Sequence, residues 1–204
     1  MSELQKALGD IGSIRRQVAE SMQFRGYGPA TLAVTGCSGF LAAAAQSVWL
    51  PDPAAHLSAY LRIWIATAVL SAAITGVQMY TRTRRIHSGL SNEMIRMAVE
   101  QFLPAAGAGL LITFVLVHYA PSVLWILPGL WQVIFSVGIF SSCRFLPRPI
   151  MVAGVWYLAT GLLCLSLGDV RAFAPWTMGL AFGVGQLLVA GILLLASREG
   201  DDEA

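Results

Sequence analysis

Charged residues are scarce in this chain of 204 residues: they account for 12% of it, against about a quarter in an ordinary soluble domain. This scarcity excludes an ordinary cytosolic globular protein. It also excludes intrinsic disorder, which requires high charge and low hydrophobicity, because 56% of the residues are hydrophobic. The net charge is only +2 and the basic residues are dispersed, so we expect no direct nucleic-acid partner. The composition therefore predicts an integral membrane protein.

Histidine and cysteine are also rare, with three of each. Cys37, Cys143 and Cys164 form no CxxC motif and fall in or beside apolar segments, so we interpret them as small packing residues. His56 and His118 fall on the predicted outer side near Asp52 and Asp169, where ordinary interfacial polar residues explain them better than a metal site. We therefore predict no metal site and no cofactor.

Long apolar runs dominate the sequence, and a helix needs about 20 mostly apolar residues to cross the hydrocarbon core of a bilayer. The stretch from Gln101 to Cys143 has no charged residue and is long enough for two spans, with a turn at residues 120–122. Because the runs do not alternate with polar residues, helices are favoured over the strands of a membrane barrel. We predict an all-α protein with six transmembrane helices in three antiparallel hairpins. The spans cover approximately residues 30–50, 60–81, 99–119, 122–143, 149–168 and 174–197.

Basic residues concentrate on one side of this six-span arrangement, as they do on the cytoplasmic side of membrane proteins. Only Arg62 and Arg171 fall on the opposite side. We therefore predict a multi-pass protein of the bacterial inner (cytoplasmic) membrane with both termini in the cytoplasm. Aromatic residues at the predicted outer ends are expected to lie at the headgroup level; they are Trp49, Tyr60, Trp64, Tyr119, Trp125 and Trp176.

Polar segments flank the predicted transmembrane domain of residues 29–197. Residues 1–28 are cytoplasmic in this interpretation and contain an amphipathic helix, because apolar residues recur at helical spacing over residues 2–24. Such a helix either lies on the membrane surface or docks with a partner protein. Residues 198–204 form a short acidic cytoplasmic tail, and Arg82 to Arg96 form a basic loop.

Charged and amide side chains within the spans are few. Arg62 and Glu100 are the charges nearest to the hydrocarbon. Arg62 can extend to the outer interface, and Glu100 follows Arg96 at the i,i+4 spacing of a helical ion pair, so both are best explained as membrane-edge charges. Buried amides either bond between helices or line a polar path, and both interpretations stay open. The four glutamines concerned are Gln46, Gln78, Gln132 and Gln186.

Glycine and proline predict contact and bending points. Gly179 and Gly183 form a GxxxG pattern, which lets span six pack closely, either within the bundle or between protomers. Pro128 lies early in span four and is expected to kink it.

One motif points to catalysis. Residues 36–39 read Gly-Cys-Ser-Gly, which matches the GxSG motif of rhomboid intramembrane proteases. The serine of such a protease needs a histidine at the same depth, but Ser38 and His118 are predicted to differ in depth by on the order of 15 Å. We therefore disfavour a protease and predict no catalytic residue.

Three groups of residues resemble a family of uncharacterised bacterial six-span membrane proteins. They are Ile14-Arg15-Arg16-Gln17 with Phe24 and Gly28, Pro128-Gly129-Leu130-Trp131 with Gly138, and Gly179-x-x-x-Gly183-x-Gly185. Members of that family are often encoded beside a winged-helix regulator, so the resemblance implies a regulatory protein as partner. Relatives often carry a histidine where this chain has Gln186, which argues against a metal or haem role for that helix.

These patterns predict a non-enzymatic membrane protein that acts as a regulator or sensor through a cytosolic partner. The alternative is a small oligomeric permease or channel, which a kink at Pro128 and the four glutamines would favour. Against it, no span carries a central carboxylate that could bind a cation or relay protons. The expected partners are the lipid bilayer, a cytosolic regulatory protein and, for the permease, further copies of the chain.

Overall fold

The computed structural model describes residues 28–85, 89–143 and 148–202. The predicted amphipathic helix of residues 2–24 lies outside these residues. The described residues form six α-helices and three short 3₁₀ segments, and they contain no β-strand. The α-helices are α1 (Pro29–Trp49), α2 (Leu57–Arg85), α3 (Gly89–Tyr119), α4 (Leu127–Ser142), α5 (Met151–Ser166) and α6 (Pro175–Asp202). The 3₁₀ segments are Pro121–Ile126, Arg148–Ile150 and Val170–Phe173.

Four of these helices are long and apolar enough to cross a membrane by themselves, and α4 reaches this length together with the preceding 3₁₀ segment, as the span Pro121–Ser142. The exception is α5, which has 16 residues and therefore rises about 24 Å. The preceding 3₁₀ segment Arg148–Ile150 adds about 6 Å, so the two together match a hydrocarbon core of roughly 30 Å. The prediction of an all-α membrane protein is confirmed.

Adjacent helices run antiparallel, and the first helix also packs against the last. Gly36 of α1 lies beside Gly183 of α6, whereas Ala43, two turns later in α1, lies beside Gly179, so the two helices run in opposite directions. The α1–α6 and α4–α5 interfaces are the most extensive in the bundle, and each joins helices from different predicted hairpins. In contrast, α2 and α3 barely touch each other.

The antiparallel order defines two ends of the bundle. The connections 50–56, 120–126 and 167–174 meet at what we call the short-loop end. The opposite end, which we call the terminal end, contains the start of α1, the junction of α2 with α3, the junction of α4 with α5 and the end of α6.

Three helices continue beyond their apolar spans at the terminal end. The apolar span of α3 begins at Phe102, so residues 89–101 add about 20 Å of helix before it. Likewise, α2 runs past its span to Arg85, and α6 runs to Asp202. The expected basic loop and acidic tail are therefore largely helical. Loss of hydropathy shows where the chain leaves the hydrocarbon, but Arg, Glu and Met remain good helix formers in water.

The proline expected to kink a helix, Pro128, lies at a helix start, whereas Pro104 lies inside a helix. Pro128 occupies the first turn of α4, directly after the 3₁₀ segment Pro121–Ile126, where a missing N–H costs no helical hydrogen bond. In contrast, Pro104 lies inside α3, because this helix begins well before its apolar span. A proline there removes the hydrogen bond to the carbonyl of Glu100 and weakens the ladder at the membrane edge.

Candidate functional site

Gln46 joins three parts of the bundle near the short-loop end. It is fully buried close to the end of α1. Its Nε2 donates to the carbonyl oxygen of Phe173 (2.7 Å), and its Oε1 accepts from Nε1 of Trp64 on α2 (2.8 Å). One amide therefore links α1, α2 and the 3₁₀ segment that precedes α6.

Aromatic packing surrounds this amide. The ring of Tyr60 meets that of Phe173 edge-on, with centroids 4.9 Å apart, and lies 6.5 Å from Trp64. Leu124, from the connection between α3 and α4, and Leu127, at the start of α4, also belong to this cluster. The headgroup depth expected for Tyr60 and Trp64 stays a prediction, and within the bundle both side chains are buried, at 0% and 4% exposure.

Gln132 lies in the same region, on α4, and is also fully buried. Its Nε2 donates to the carbonyl oxygen of Thr177 (3.1 Å) and lies 3.8 Å from Sδ of Met178. A flip of the Gln132 amide would place its Oε1 against the carbonyl oxygen of Thr177, and two acceptors cannot bond to each other, so the orientation of the amide is fixed. The Oε1 atom then has no hydrogen-bond partner among the described residues.

The carbonyl oxygen of Ala172 is a second point of convergence. It accepts a hydrogen bond from Oγ1 of Thr177 (2.8 Å) and lies 3.8 Å from Sγ of Cys164 on α5. The 3₁₀ segment Val170–Phe173 thus bonds to side chains from α1, α5 and α6. We refer to Gln46, Tyr60, Trp64, Gln132, Cys164, Phe173 and Thr177 as the polar cluster.

An ion pair lies just outside the polar cluster. Nε of Arg171 is 2.9 Å from both carboxylate oxygens of Asp169, and both side chains are solvent-exposed. The hydrogen bond from the Arg171 side chain, reinforced by its backbone N–H, lowers the pKa of Asp169. The pair borders an open groove of about 440 Å³ between the end of α1 and the start of α6.

The remaining two glutamines bond across helices toward the terminal end. Oε1 of Gln78 on α2 accepts from the backbone N–H of Gly28 (3.2 Å). Oε1 of Gln186 on α6 accepts a long bond from Oγ1 of Thr35 on α1 (3.5 Å). All four glutamines therefore bond to another element of the fold.

The two membrane-edge charges lie on the outer surface of the bundle. Arg62 is exposed, and its Nε donates to the carbonyl oxygen of Ser58 one turn earlier (3.2 Å). Glu100 is exposed on α3. The side chain of Arg96 falls outside the description, so the expected pair between Arg96 and Glu100 stays a prediction.

The glycine pair on α6 faces the inside of the bundle. A Cβ added to Gly179 would come within 2.5 Å of the Cβ of Ala43, and one added to Gly183 would enter the ring of Phe40. On the facing helix α1, Gly36 and Gly39 lie beside the backbone of Gly183. These glycines set the close spacing of α1 and α6.

The protease-like serine has no catalytic surroundings in the described structure. Oγ of Ser38 donates to the carbonyl oxygen of Thr35 (2.7 Å) and lies 3.2 Å from Oγ of Ser71. His118 is exposed at the end of α3, where its Nδ1 lies 3.0 Å from the carbonyl oxygen of Phe114. Among residues 28–85, 89–143 and 148–202, no group of three His, Cys, Asp or Glu could hold a metal ion.

The glutamines stand out in the sequence, but their partners do not. Nothing in the sequence marks Thr177 or Phe173 as a partner. Phe173 bonds through its backbone carbonyl, and Thr177 bonds through its backbone carbonyl and its hydroxyl. Trp64 carries a signal: it lies two turns after the start of α2, at nearly the depth of Gln46, which lies one turn before the end of α1. An indole N–H at that depth needs an acceptor once it is buried.

The fold and the polar cluster define an all-α, multi-pass membrane protein whose interior hydrogen bonds connect distant parts of the chain. Comparison with protein-family models, curated proteins and solved structures finds no match.

Proposed function

We propose that this chain is a non-enzymatic regulator or sensor of the bacterial inner membrane that acts through a cytosolic partner at its terminal end. The observation that carries the proposal is the continuation of α2, α3 and α6 past their apolar spans. A helix that continues about 20 Å into water, as α3 does, offers a surface beyond the headgroups to a soluble protein.

The two ends of the bundle differ in what they offer to a partner. The described connections at the short-loop end are brief, and their 3₁₀ segments fold back onto the polar cluster. The terminal end carries the three helical extensions and, by sequence, most of the basic residues. The excess of basic residues favours a cytoplasmic location for this end.

The basic residues at the terminal end can bind either lipid headgroups or a protein, and the experiment must separate these two roles. Arg82, Arg84 and Arg85 close α2, and basic residues in such a position bind anionic lipid headgroups as well as acidic proteins. We expect both the amphipathic segment of residues 2–24 and these arginines to contribute to partner binding.

The test is crosslinking in native membranes, followed by affinity purification and quantification of the soluble proteins retained. Deletion of residues 2–25, or replacement of Arg82, Arg84 and Arg85 by Glu, is expected to reduce a stoichiometric soluble partner at least tenfold. Downstream gene expression should change in the same variants. Arg171→Glu, at the opposite end, is the control with the same type of charge change.

Partner recovery and gene expression that stay unchanged in both terminal-end variants would overturn the proposal. Equal losses in Arg171→Glu would also overturn it, because they would reflect insertion or overall charge rather than a docking surface.

A permease or channel is the second candidate, and one observation favours it. Gln132 places an amide oxygen without a partner among the described residues inside an otherwise apolar bundle. In this case Gln132→Leu and Gln186→Leu would abolish flux of small polar solutes into liposomes that contain the protein. Uptake equal to that of the unaltered protein would rule this candidate out.

A further inference from the structure

Two polar atoms of the polar cluster are buried without a bonding partner in the described part of the chain. One is the hydroxyl of Tyr60 on α2, and the other is Oε1 of Gln132 on α4. Both side chains have 0% exposure, so neither atom reaches bulk solvent or the lipid headgroups. The two atoms are complementary, because the hydroxyl can donate a hydrogen bond and the amide oxygen can accept one.

Both side chains border the same structural element, the junction of the 3₁₀ segment Val170–Phe173 with α6. The Tyr60 ring packs on Phe173, and the Gln132 amide bonds to Thr177 and contacts Met178. Tyr60 and Met178 belong to one buried cluster. Tyr60 and Gln132 thus lie against the same junction from two different helices.

This region also concentrates backbone acceptors. The carbonyl oxygens of Ala172, Phe173 and Thr177 all bond to side chains of the polar cluster. A carbonyl oxygen has two lone pairs, so each retains some capacity to accept. A buried water molecule typically makes about three hydrogen bonds to such groups.

We propose that the polar cluster binds ordered water, which accepts a hydrogen bond from the Tyr60 hydroxyl and donates one to Oε1 of Gln132. This interior site is independent of the proposed regulatory function. Water is the ligand that fits, because the unpaired atoms are one neutral donor and one neutral acceptor. A cation would meet two neutral side-chain oxygens and no carboxylate in the polar cluster, and an anion would meet only one free donor.

The first test is the sign of a stability change. In the purified full-length protein in lipid nanodiscs, Tyr60→Phe is expected to lower the midpoint of thermal unfolding by several degrees, because the water loses its donor. If the hydroxyl is simply unpaired, its removal relieves a desolvation cost and leaves the midpoint unchanged or raises it. Tyr119→Phe, at an exposed tyrosine on α3, is the matched control and is expected to have no effect.

The second test detects the water itself. Infrared spectra of the unaltered protein should contain an O–H stretching band that shifts when H₂¹⁸O replaces H₂¹⁶O, and Tyr60→Phe and Gln132→Met should each remove it. The effects of these two substitutions on stability should also be non-additive, since both act on shared water. Absence of the isotope-sensitive band, its persistence in both variants, or a midpoint that does not fall in Tyr60→Phe would overturn the proposal.

Discussion

At the scale of single residues, burial decides which polar side chains matter for the fold. Gln46 and Gln186 have the same side chain in helices of the same bundle. Gln46 is fully buried and uses both ends of its amide, at 2.7 and 2.8 Å. Gln186 is half-buried and accepts a long bond of 3.5 Å from Thr35. The same substitution should therefore have different consequences at the two positions.

We expect Gln46→Leu to lower the free energy of unfolding by about 2 kcal/mol or more. It leaves the indole N–H of Trp64 and the carbonyl of Phe173 buried without partners, and each such group costs about 1–3 kcal/mol. The control, Gln186→Leu, should lose less than about 1 kcal/mol, as interhelical bonds in membranes commonly do. Unfolding in mixtures of detergent and dodecyl sulfate measures both values, and equal losses would contradict this account.

The Asp169–Arg171 pair gives a pH-dependent prediction. Arg171 holds the pKa of Asp169 below its ordinary value of 3.8. Because the pKa is lowered in the folded protein, the pair's contribution to stability is present above pH 3.8 and is lost as the pH falls through the folded-state pKa. In Arg171→Gln the pKa of Asp169 should rise, although not completely, since the backbone N–H of residue 171 still donates to the carboxylate.

Carbon-13 NMR titration of the Asp169 carboxyl group measures this change. An unchanged titration curve in Arg171→Gln would show that the side chain does not interact with the carboxylate in solution.

Hydropathy and hydrogen-bond partners differ in how well they can be predicted from sequence. The apolar runs predicted an all-α membrane protein because the bilayer requires about 20 apolar residues per helix. The partner of Gln46 lies 127 residues away in the chain, and nothing in the local sequence of Phe173 indicates it. Lipid tails and helix faces are equally apolar, so hydropathy carries no information about which helices pack together.

At the scale of helices, the position of glycine separates packed faces from open ones. On α6, Gly183 lies against Phe40 and the backbone of α1, whereas a Cβ on Gly191 would meet nothing within 4 Å. The glycines of α3, Gly107 and Gly109, are similarly open, and none of the residues in the most apolar stretch of α3 is buried.

Two substitutions on α6 test this difference. Gly183→Ala should destabilise the bundle by about 1–3 kcal/mol, because the added methyl overpacks the α1–α6 interface. Gly191→Ala should be neutral or stabilising by up to about 1 kcal/mol, since it only improves helix propensity. Thermal unfolding in the same nanodiscs compares them. Equal decreases in the unfolding midpoint of the two variants would contradict a tight α1–α6 interface at Gly183.

Helix ends were harder to predict than helix centres. The sequence placed the start of the third helix at about residue 99, and the structure begins it at Gly89. As a result, Pro104 lies inside the helix. A proline near the start of an apolar span resembles a first-turn proline, and only the helical residues before it reveal the difference.

At the scale of the whole molecule, the two ends of the bundle should be accessible from different sides of the membrane. We expect Ser122→Cys, at the short-loop end, to react with a membrane-impermeant maleimide added outside intact cells. Ser197→Cys, near the end of α6, should react only after the membrane is opened. The background replaces Cys37, Cys143 and Cys164 by alanine. The opposite pattern, or equal labelling, would overturn the predicted cytoplasmic location of both termini.

The contact between α1 and α6 also sets an order of events during biosynthesis. The first helix enters the membrane long before Phe173 and the last helix have been translated, and until then its glycine face and Nε2 of Gln46 lack their partners. Insertion of individual helices can precede their association, so the nascent chain must wait in the bilayer with this face directed toward lipid or toward the insertion machinery. A chain that stopped before residue 173 would leave Nε2 of Gln46 without its acceptor, the carbonyl oxygen of Phe173, and would also lack α6. Such a product would present an unpaired polar group at membrane depth, a feature by which cellular quality control can distinguish incomplete chains from finished ones.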